Sequence, residues 1–316
     1  MNLKFAGIHH VTAIAGDPQK NVDFYAGILG LRLVKKTVNF DDPGSYHLYY
    51  GDAAGNPGTI MTFFSWPGAA RGRIGTGQVS ATSFSVPEDS LGYWTERLVE
   101  HGVRFAKPER RFDETVLAFE DHDGLAVEVV AGPGRDSGEV WTGSPVPVEH
   151  AIQGIPGVTL SEQSGEVTEN VLTRLLGFEK AGEEDGRIRY LSAGSSGSFA
   201  DVLALPEGTP GQTAVGTTHH VAWRAPDDET QEAWHEEIEA RGLHVTPILD
   251  RSYFHSIYFR EPGGVLFEIA TDPPGFAVDE DPDHLGESLK LPPWLERRRT
   301  EIERPLPPIH PPQERF

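Results

Sequence analysis

The alternation of apolar and polar positions divides most of the chain into four segments of one kind. In the first segment, the strand-like stretch FAGIHHVTAIA precedes a helix predicted from Pro18 to Leu29. Three further strand-like stretches follow it: LRLVKKTVNF, SYHLYYGD and GTIMTFFSW. Short alternating runs bounded by turn residues such as Gly55-Asn-Pro-Gly58 are typical of hairpin-linked strands. The first segment therefore predicts a βαβββ unit.

The same order recurs three times along the chain. The later units begin with GQVSATSFSVPEDS, IQGIPGVTLSE and GTTHHVAWRAPDD, and the first and fourth share a His-His-Val core. The helices of the second and fourth units also share a spacing, since Trp94 and Gly102 are eight residues apart, as are Trp234 and Gly242. Self-similarity of this kind indicates duplicated modules. Four βαβββ modules paired two by two predict an α+β protein with cupped, mainly antiparallel sheets.

A Pro-rich link and a change of composition set the predicted domain boundaries. The link lies around Ser144 to Pro147, and the composition becomes rich in proline and charge after Asp272. We predict an N-terminal domain of modules one and two at 1–142 and a C-terminal domain of modules three and four at 148–272. Residues 273–316 are predicted to be a tail that wraps the domains.

Composition narrows the class of protein. With 38% hydrophobic residues, 16 Phe and 6 Trp, the 316-residue chain can bury packed cores. The 27 Lys and Arg stand against 48 Asp and Glu, and this net charge of −21 argues against nucleic acid as a partner. Neither a signal-like run nor a membrane-length apolar stretch of about 20 residues occurs. We therefore expect a cytoplasmic protein with no membrane partner.

The chain contains no cysteine, so any metal must be held by His, Asp, Glu or backbone oxygen. Two positions in each module can be compared for such ligands. The strand-start position holds His9-His10, Ser80-Ala81, Pro156-Gly157 and His219-His220 in modules one to four, and the strand-end position holds Thr62, Glu128, Asp201 and Glu268.

Cooperation of modules one and four would assemble His10, His220 and Glu268. Two imidazoles and one carboxylate on one face are typical of non-haem Fe(II) oxygenases. Modules three and four would instead offer Asp201 with only one imidazole, which is a poorer set. Strand alternation places the two histidines of a pair on opposite faces and favours the second of each pair only weakly.

The simpler interpretations are structural. A single His-His pair is more often hydrogen-bonded than metal-bound, but two copies at equivalent positions, with Glu268 inside an apolar strand, favour a metal. Glu128 and Asp201 are expected to pair with arginine or to be solvated. The remaining histidines considered are interpreted as structural or surface residues: His47, His101, His122, His150, His235, His244 and His310.

Several of these phrases together resemble a known superfamily. HHVTAIAGD, GTTHHVAWRAPD, RSYFHSIYFREPGGVLFEIATDPPGF and LGESLKLPPWLE are similar to the glyoxalase/bleomycin-resistance/extradiol-dioxygenase proteins, also called vicinal oxygen chelate proteins. Within that superfamily, the chain resembles ring-cleaving dioxygenases of the hydroquinone 1,2-dioxygenase type over almost its whole length. The resemblance implies two glyoxalase-like domains, Fe(II) as cofactor with Mn(II) as the alternative, and a small aromatic substrate with O2. It leaves open whether the protein forms a homo-oligomer.

The resemblance also implies roles for single residues. It places the metal on His10, His220 and Glu268, and it surrounds the metal with His9, Thr12, His219, Arg251 and Tyr258. Our hypothesis for their roles is that His219 or His9 transfers a proton, Tyr258 donates a proton or hydrogen bond, and Arg251 stabilises negative charge.

Two other functions compete with ring cleavage. A glyoxalase-type isomerase or lyase needs a fourth protein ligand, which Thr62 does not supply. A non-enzymatic drug-binding protein of the same fold needs no ligand triad, so the three ligands count against it. A catechol dioxygenase would draw its ligands from modules three and four, and the lack of a histidine in module three favours a hydroquinone-like substrate.

Overall fold

The computed structural model describes residues 5–132, 139–192 and 198–312, and it contains sixteen strands and five α-helices in these residues. The strands are β1 (Ile8–Ala15), β2 (Arg32–Val38), β3 (Tyr46–Gly51), β4 (Ile60–Ser65), β5 (Gln78–Pro87), β6 (Glu109–Arg111), β7 (Glu114–Glu120), β8 (Ala126–Gly132), β9 (Gly154–Glu162), β10 (Glu179–Glu184), β11 (Arg187–Leu191), β12 (Phe199–Ala204), β13 (Thr217–Ala225), β14 (Leu249–Asp250), β15 (Phe254–Arg260) and β16 (Leu266–Pro274). The helices are α1 (Pro18–Val22), α2 (Leu91–Glu100), α3 (Gly165–Asn170), α4 (Asp228–Ala240) and α5 (Arg299–Glu303). Helices α1 and α3 each continue into a π-helical turn, Asp23–Ile28 and Val171–Leu175.

The strands form two eight-stranded sheets, and each sheet joins two modules. Modules one and four make the order β14-β15-β16-β13-β1-β4-β3-β2, and modules two and three make β10-β11-β12-β9-β5-β8-β7-β6. The modules meet where β1 pairs antiparallel with β13 and where β5 pairs antiparallel with β9. The predicted α+β class and the βαβββ modules are confirmed. The division into consecutive domains at 1–142 and 148–272 stays a prediction, and each sheet combines one module from either side of it.

The equal Trp-to-Gly spacings come from two helices that end in the same way. Trp94 of α2 and Trp234 of α4 are buried against the sheets. Gly102 and Gly242 follow the helix ends with φ of 66° and 75°. A residue with positive φ just past a helix is favourable mainly for glycine, which has no Cβ. The spacing therefore marks an equal distance from the buried tryptophan to the helix end in the two modules.

Strand pairing shows that the compared ligand positions are equivalent in the four modules. In each module, the residue at the strand-end position pairs with the residue two places after the strand-start position. The parallel partners are Thr12 with Thr62, Ser83 with Glu128, Thr159 with Asp201, and Ala222 with Glu268. In the second sheet the two carboxylates are neutralised by arginine. Glu128 accepts from Arg111 at 2.8 Å and Asp201 accepts from Arg189 at 2.8 Å, as the sequence predicts.

The described part of the tail packs along the edge strand β2. The Lys290 amide donates to the Lys36 carbonyl at 2.9 Å, and the Thr37 hydroxyl donates to the Lys290 carbonyl at 2.7 Å. Buried Lys35 holds Asp279 and Glu280 of the tail at 2.6 and 2.5 Å. The tail thus covers the outer edge of module one. No helix in the described residues combines the length and apolar character needed to cross a bilayer.

One buried carboxyl, that of Glu162 at the end of β9, lies outside both arginine pairs. Its side chain is fully buried, and neither of its oxygens has a hydrogen-bond partner among the described residues. Burial disfavours its charge, and the neighbouring carboxyl of Glu261 adds repulsion, so the pKa of Glu162 is raised to about 8. Glu261 itself accepts from the Thr168 hydroxyl at 3.0 Å.

This raised pKa predicts a pH-dependent stability that Glu162→Gln removes. Between about pH 4.5 and about pH 8 the folded protein holds a proton that the unfolded chain has lost, so stability falls as pH rises through that window. The slope is at most about 1.4 kcal/mol per pH unit. Urea unfolding at pH 5, 6, 7 and 8 should show wild type losing stability relative to Glu162→Gln. Exposed Glu232→Gln is the control, and parallel curves for Glu162→Gln and wild type would contradict the prediction.

Candidate metal centre

Three buried side chains meet where β1, β13 and β16 lie side by side. His10 is on β1, His220 on β13 and Glu268 on β16, and their exposed fractions are 2%, 4% and 0%. The Nε2 atom of His220 lies 2.8 Å from Oε2 of Glu268, and the Nε2 atom of His10 lies 3.3 Å from the same oxygen. The two Nε2 atoms are 3.4 Å apart. The sequence comparison of modules one and four selects these three residues.

These separations suit three ligands of one ion. Ligand atoms about 2.1 Å from an ion, at right angles to each other, lie about 3.0 Å apart. The observed separations of 2.8 to 3.4 Å fall around that value. Among the described residues, this trio is the group of histidine and acidic side chains close enough to share one ion.

His9 fixes the proton of His10. The Nε2 atom of His9 lies 3.1 Å from the Thr271 carbonyl oxygen, which can only accept, so Nε2 carries the proton. In the neutral ring, Nδ1 of His9 then accepts from Nδ1 of His10, which lies 2.9 Å away. A neutral His10 therefore keeps its Nε2 lone pair toward Glu268, as a metal ligand requires. Burial lowers the pKa of His9 well below its ordinary value, which keeps the ring neutral.

Glu268 is held by one hydrogen bond and left open at its other oxygen. The Ser256 hydroxyl donates to Oε1, while buried Oε2 faces the two imidazoles and has no hydrogen-bond partner among the described side chains. Burial acts to raise the pKa of Glu268, but positive charge at His10 and His220, from protons or from an ion between them, outweighs burial and holds the pKa well below its usual range. A carboxylate oxygen facing imidazole lone pairs is stabilised by a cation between them. The donor set therefore fits a metal ion.

The second histidine pair repeats the arrangement of the first. Nδ1 of His219 lies 2.7 Å from Nδ1 of His220, so the two rings share one proton there. Burial, with His220 beside it, lowers the pKa of His219 to about 3. Both first histidines therefore lie behind the ligands, although strict strand alternation would turn them away. The ladder between β1 and β13 is irregular at Ile8 to His10 and at Thr12 to Ala13.

A narrow cavity of about 30 Å³ opens beside the trio. This volume is smaller than the about 300–1,000 Å³ of typical small-molecule sites, so a bound aromatic ring requires side chains of the wall to move. Three phenylalanines and several polar groups line it with the two histidine ligands: Phe40, Phe64, Phe254, Thr12, Asn39, Asp41, His47, Tyr49, Arg251 and Tyr258. Aromatic walls with a few polar groups suit a single aromatic ring with hydroxyls.

Arg251 and Tyr258, both predicted from the sequence, form one side of this cavity. The Arg251 guanidinium lies 5.4 Å from the centre of the Tyr258 ring and 3.1 Å from the Asp41 carboxylate. Burial acts against the charge of Arg251, but Tyr258 and Asp41 outweigh it, so its pKa is raised. Burial and the negative charge of Glu268 also raise the pKa of Tyr258, so its phenol stays protonated.

Two cavity residues, His47 and Tyr49, are missing from the predicted site. The sequence interpretation places His47 among structural or surface histidines, yet its ring is in the cavity wall 4.4 Å from that of Phe64. Strand pairing gives the signal that could have found them. Tyr49 pairs with Thr62 as Tyr258 pairs with Glu268, so Tyr49 is the module-one equivalent of Tyr258.

Replacing His9 should weaken metal binding without removing a ligand. His9→Phe leaves His10 free to protonate Nε2, and loss of such a supporting contact typically costs about 10- to 100-fold in affinity. Competition titration with Co(II) or Zn(II) measures the affinity. His244→Gln, at an exposed position, should bind like wild type. An unchanged affinity in His9→Phe would show that Thr271 and His9 do not set the His10 tautomer.

Comparison with known proteins gives one family and full-length relatives. The profile of the glyoxalase/bleomycin resistance protein/dioxygenase superfamily matches residues 7–129 and 166–269. MhqO of Bacillus subtilis, which is named as a ring-cleaving dioxygenase, is 51% identical over 311 residues, covering 98% of each chain. The chlorohydroquinone/hydroquinone 1,2-dioxygenase of Sphingobium indicum is 35% identical, covering 95% of each chain.

Solved structures agree with this assignment. A Bacillus subtilis protein described as a dioxygenase superposes with a TM-score of 0.94 at 49% identity, over 97% of this chain and 98% of the other. Maize glyoxalase I superposes with a TM-score of 0.63 at 15% identity, over 84% and 92% of the two chains. The second similarity concerns the fold alone.

Proposed function

The chain belongs to the glyoxalase/bleomycin resistance protein/dioxygenase superfamily, and on that premise we propose that it is an Fe(II)-dependent dioxygenase that cleaves a hydroquinone-like ring. The observation that carries the proposal is the buried trio of His10, His220 and Glu268 beside a cavity with aromatic walls. Two imidazoles and one carboxylate leave further positions of an ion free for ligands. The substrates are a small aromatic diol and O2.

In this proposal His10, His220 and Glu268 hold the iron, with Mn(II) as the alternative metal. When bound, such an ion supplies the redox chemistry that allows O2 to react with a closed-shell phenol, and it favours the ionised phenol. The chain's own residues have the remaining tasks. Phe64 and Phe254 enclose the ring and exclude water from the reacting face.

The polar groups around the ligands have separate roles in transferring protons and in stabilising negative charge. Tyr258 keeps its proton and can donate it or a hydrogen bond to an oxygen of the bound molecules. Arg251 keeps its positive charge and stabilises negative charge that develops in the cavity. His219 is the better candidate for proton transfer, because both ring nitrogens of His9 are engaged by His10 and Thr271.

A hydroquinone-like substrate is favoured over a catechol by two observations. The potential ligands come from modules one and four, and module three has Gly157 where those modules have a histidine. The Sphingobium indicum relative is named for chlorohydroquinone and hydroquinone, and its similarity to this chain runs over 95% of both proteins.

A glyoxalase-type isomerase is less well supported, because the fourth protein ligand that it needs is missing. Thr62 occupies the place equivalent to Glu268, and its hydroxyl is engaged by Thr12 at 3.0 Å and by His47 at 2.7 Å. A drug-binding protein of this fold would have no need for a buried carboxylate facing two imidazoles.

Oxygen uptake tests the proposed function directly. Protein reconstituted anaerobically with Fe(II) should consume O2 with hydroquinone faster than with catechol, and His10→Ala should abolish both uptake and stoichiometric iron binding. The same assay with Mn(II) tests the alternative metal. Iron binding without uptake on any of the diols would refute the substrate class, and failure to bind metal would refute the enzyme proposal.

Tyr258→Phe tests the proton donor separately from the metal. Loss of the phenol should lower kcat by about 100-fold while iron content stays stoichiometric, because general acid catalysis contributes about 10²- to 10⁴-fold. Steady-state oxygen uptake with parallel iron analysis gives both quantities. Full kcat in the variant would remove Tyr258 from the mechanism.

A further inference from the structure

Four side chains opposite Glu268 form an unbroken hydrogen-bonded chain. The Tyr49 hydroxyl lies 2.9 Å from Nδ1 of His47, and Nε2 of His47 lies 2.7 Å from the Thr62 hydroxyl. The Thr62 hydroxyl lies 3.0 Å from the Thr12 hydroxyl. Tyr49 and Thr12, the two ends of the chain, both line the cavity beside the metal centre, while Thr62 is buried behind them.

This hydrogen-bonded chain of side chains holds one more proton than it has internal hydrogen bonds. Each of the three hydroxyls carries one proton and a neutral imidazole carries one, which makes four protons for three internal hydrogen bonds. One end therefore presents an O–H to the cavity and the other presents a lone pair. Reversing the three internal bonds exchanges the two ends. The chain can thus take up a proton at one end and release another at the opposite end.

His47 must stay neutral for this reversal, and its surroundings favour that state. Burial lowers the pKa of His47 well below its ordinary value, and the positive charge of Arg251 lowers it further. The carboxylate of Glu268 acts in the opposite direction and does not outweigh these effects. Burial also raises the pKa of Tyr49, which keeps its hydroxyl protonated.

The duplication of modules one and four accounts for the position of these hydrogen-bonded side chains opposite Glu268. Strand pairing makes Thr62 the equivalent of Glu268, and it makes His47, which pairs with Phe64, the equivalent of Ser256, which pairs with Ala270. In module four, Ser256 donates to the carboxylate of Glu268. In module one, the same positions hold an imidazole and a hydroxyl with no charge. The half of the site without a ligand therefore contains hydrogen-bond donors and acceptors in place of the carboxylate.

We propose that Thr12, Thr62, His47 and Tyr49 form a proton relay that carries the proton of the substrate hydroxyl from the Thr12 side of the cavity to the Tyr49 side. The proposal rests on the proposed function, which supplies the phenolic substrate. The substrate O–H bond breaks and a Thr12 O–H bond forms, while the original Thr12 proton passes to Thr62 and the Thr62 proton passes to Nε2 of His47. The proton on Nδ1 of His47 passes to the Tyr49 oxygen, whose own proton passes to an oxygen acceptor, a water molecule or a second substrate oxygen, bound at that side of the cavity. No electrons are transferred and every member ends neutral.

Thr62→Val breaks the relay at its buried centre and leaves the metal ligands and cavity lining in place. We expect kcat to fall about 100-fold, with iron content unchanged and anaerobic hydroquinone binding by calorimetry within about threefold of wild type. Thr62→Ser restores the hydroxyl and should recover most of kcat. The proton inventory in mixed H2O and D2O should be curved for wild type and linear for Thr62→Val. His244→Gln is the matched surface control.

Three results would overturn the relay. A parallel loss of kcat and hydroquinone binding in Thr62→Val would mean that the chain only orders the substrate, and a linear inventory in the wild type would exclude several protons in motion. A doubly protonated His47 at pH 7, identified by nitrogen NMR against His47→Phe, would also exclude it, because such a ring cannot accept. This last measurement needs no turnover. Absence of oxygen uptake in the wild type with a neutral His47 would instead refute the proposed function, and the relay would lose its substrate with it.

Discussion

The structure of the site depends on one buried charge, the carboxylate of Glu268. A fully buried ion is stabilised only when partners replace the water it has lost, and removing one partner of a buried pair typically costs about 3–5 kcal/mol. Glu268 lies on β16, where its neighbours are Ser256 on β15 and the imidazoles of His220 on β13 and His10 on β1. Four strands from two modules must therefore keep their register for this charge to be tolerated. The pairing of β1 with β13 is the contact that brings the two modules to it.

Equivalent carboxylate positions have different partners in the two sheets. In the second sheet, Glu128 and Asp201 occupy the positions equivalent to Thr62 and Glu268, and arginines neutralise both. Arg189 additionally stacks over the Phe199 ring at 3.8 Å and pairs with Glu114 at 2.6 Å, which fills the space between the strands. Bidentate arginine pairs satisfy a carboxylate completely. Among the described residues, a metal fits the sheet in which the buried carboxylate faces histidines rather than arginines.

Much of the fold and the three candidate ligands could be predicted from local patterns. The repeated strand and helix order is a property of each segment, and a carboxylate such as Glu268 within an apolar strand marks a buried partner. Local patterns could not predict which modules share a sheet, because modules one and four join through β1 and β13, which are far apart in sequence. Alternation could not place His9 and His219 either, since the irregular ladder brings consecutive rings into contact. The position of His47 in the cavity wall could not be predicted, because its partners Thr62 and Tyr49 are defined only by strand pairing.

Charge gives a reason for the unequal halves of the site. A divalent ion held by Glu268 and two neutral imidazoles would retain a single positive charge, which favours an anionic ligand such as a phenolate oxygen. A carboxylate at the position of Thr62 would cancel that charge and would also occupy one of the free coordination positions. The hydroxyl and imidazole found there add no charge and leave the position open. The same substitution that removes a ligand therefore preserves both the attraction for a phenolate and the space in which it can bind.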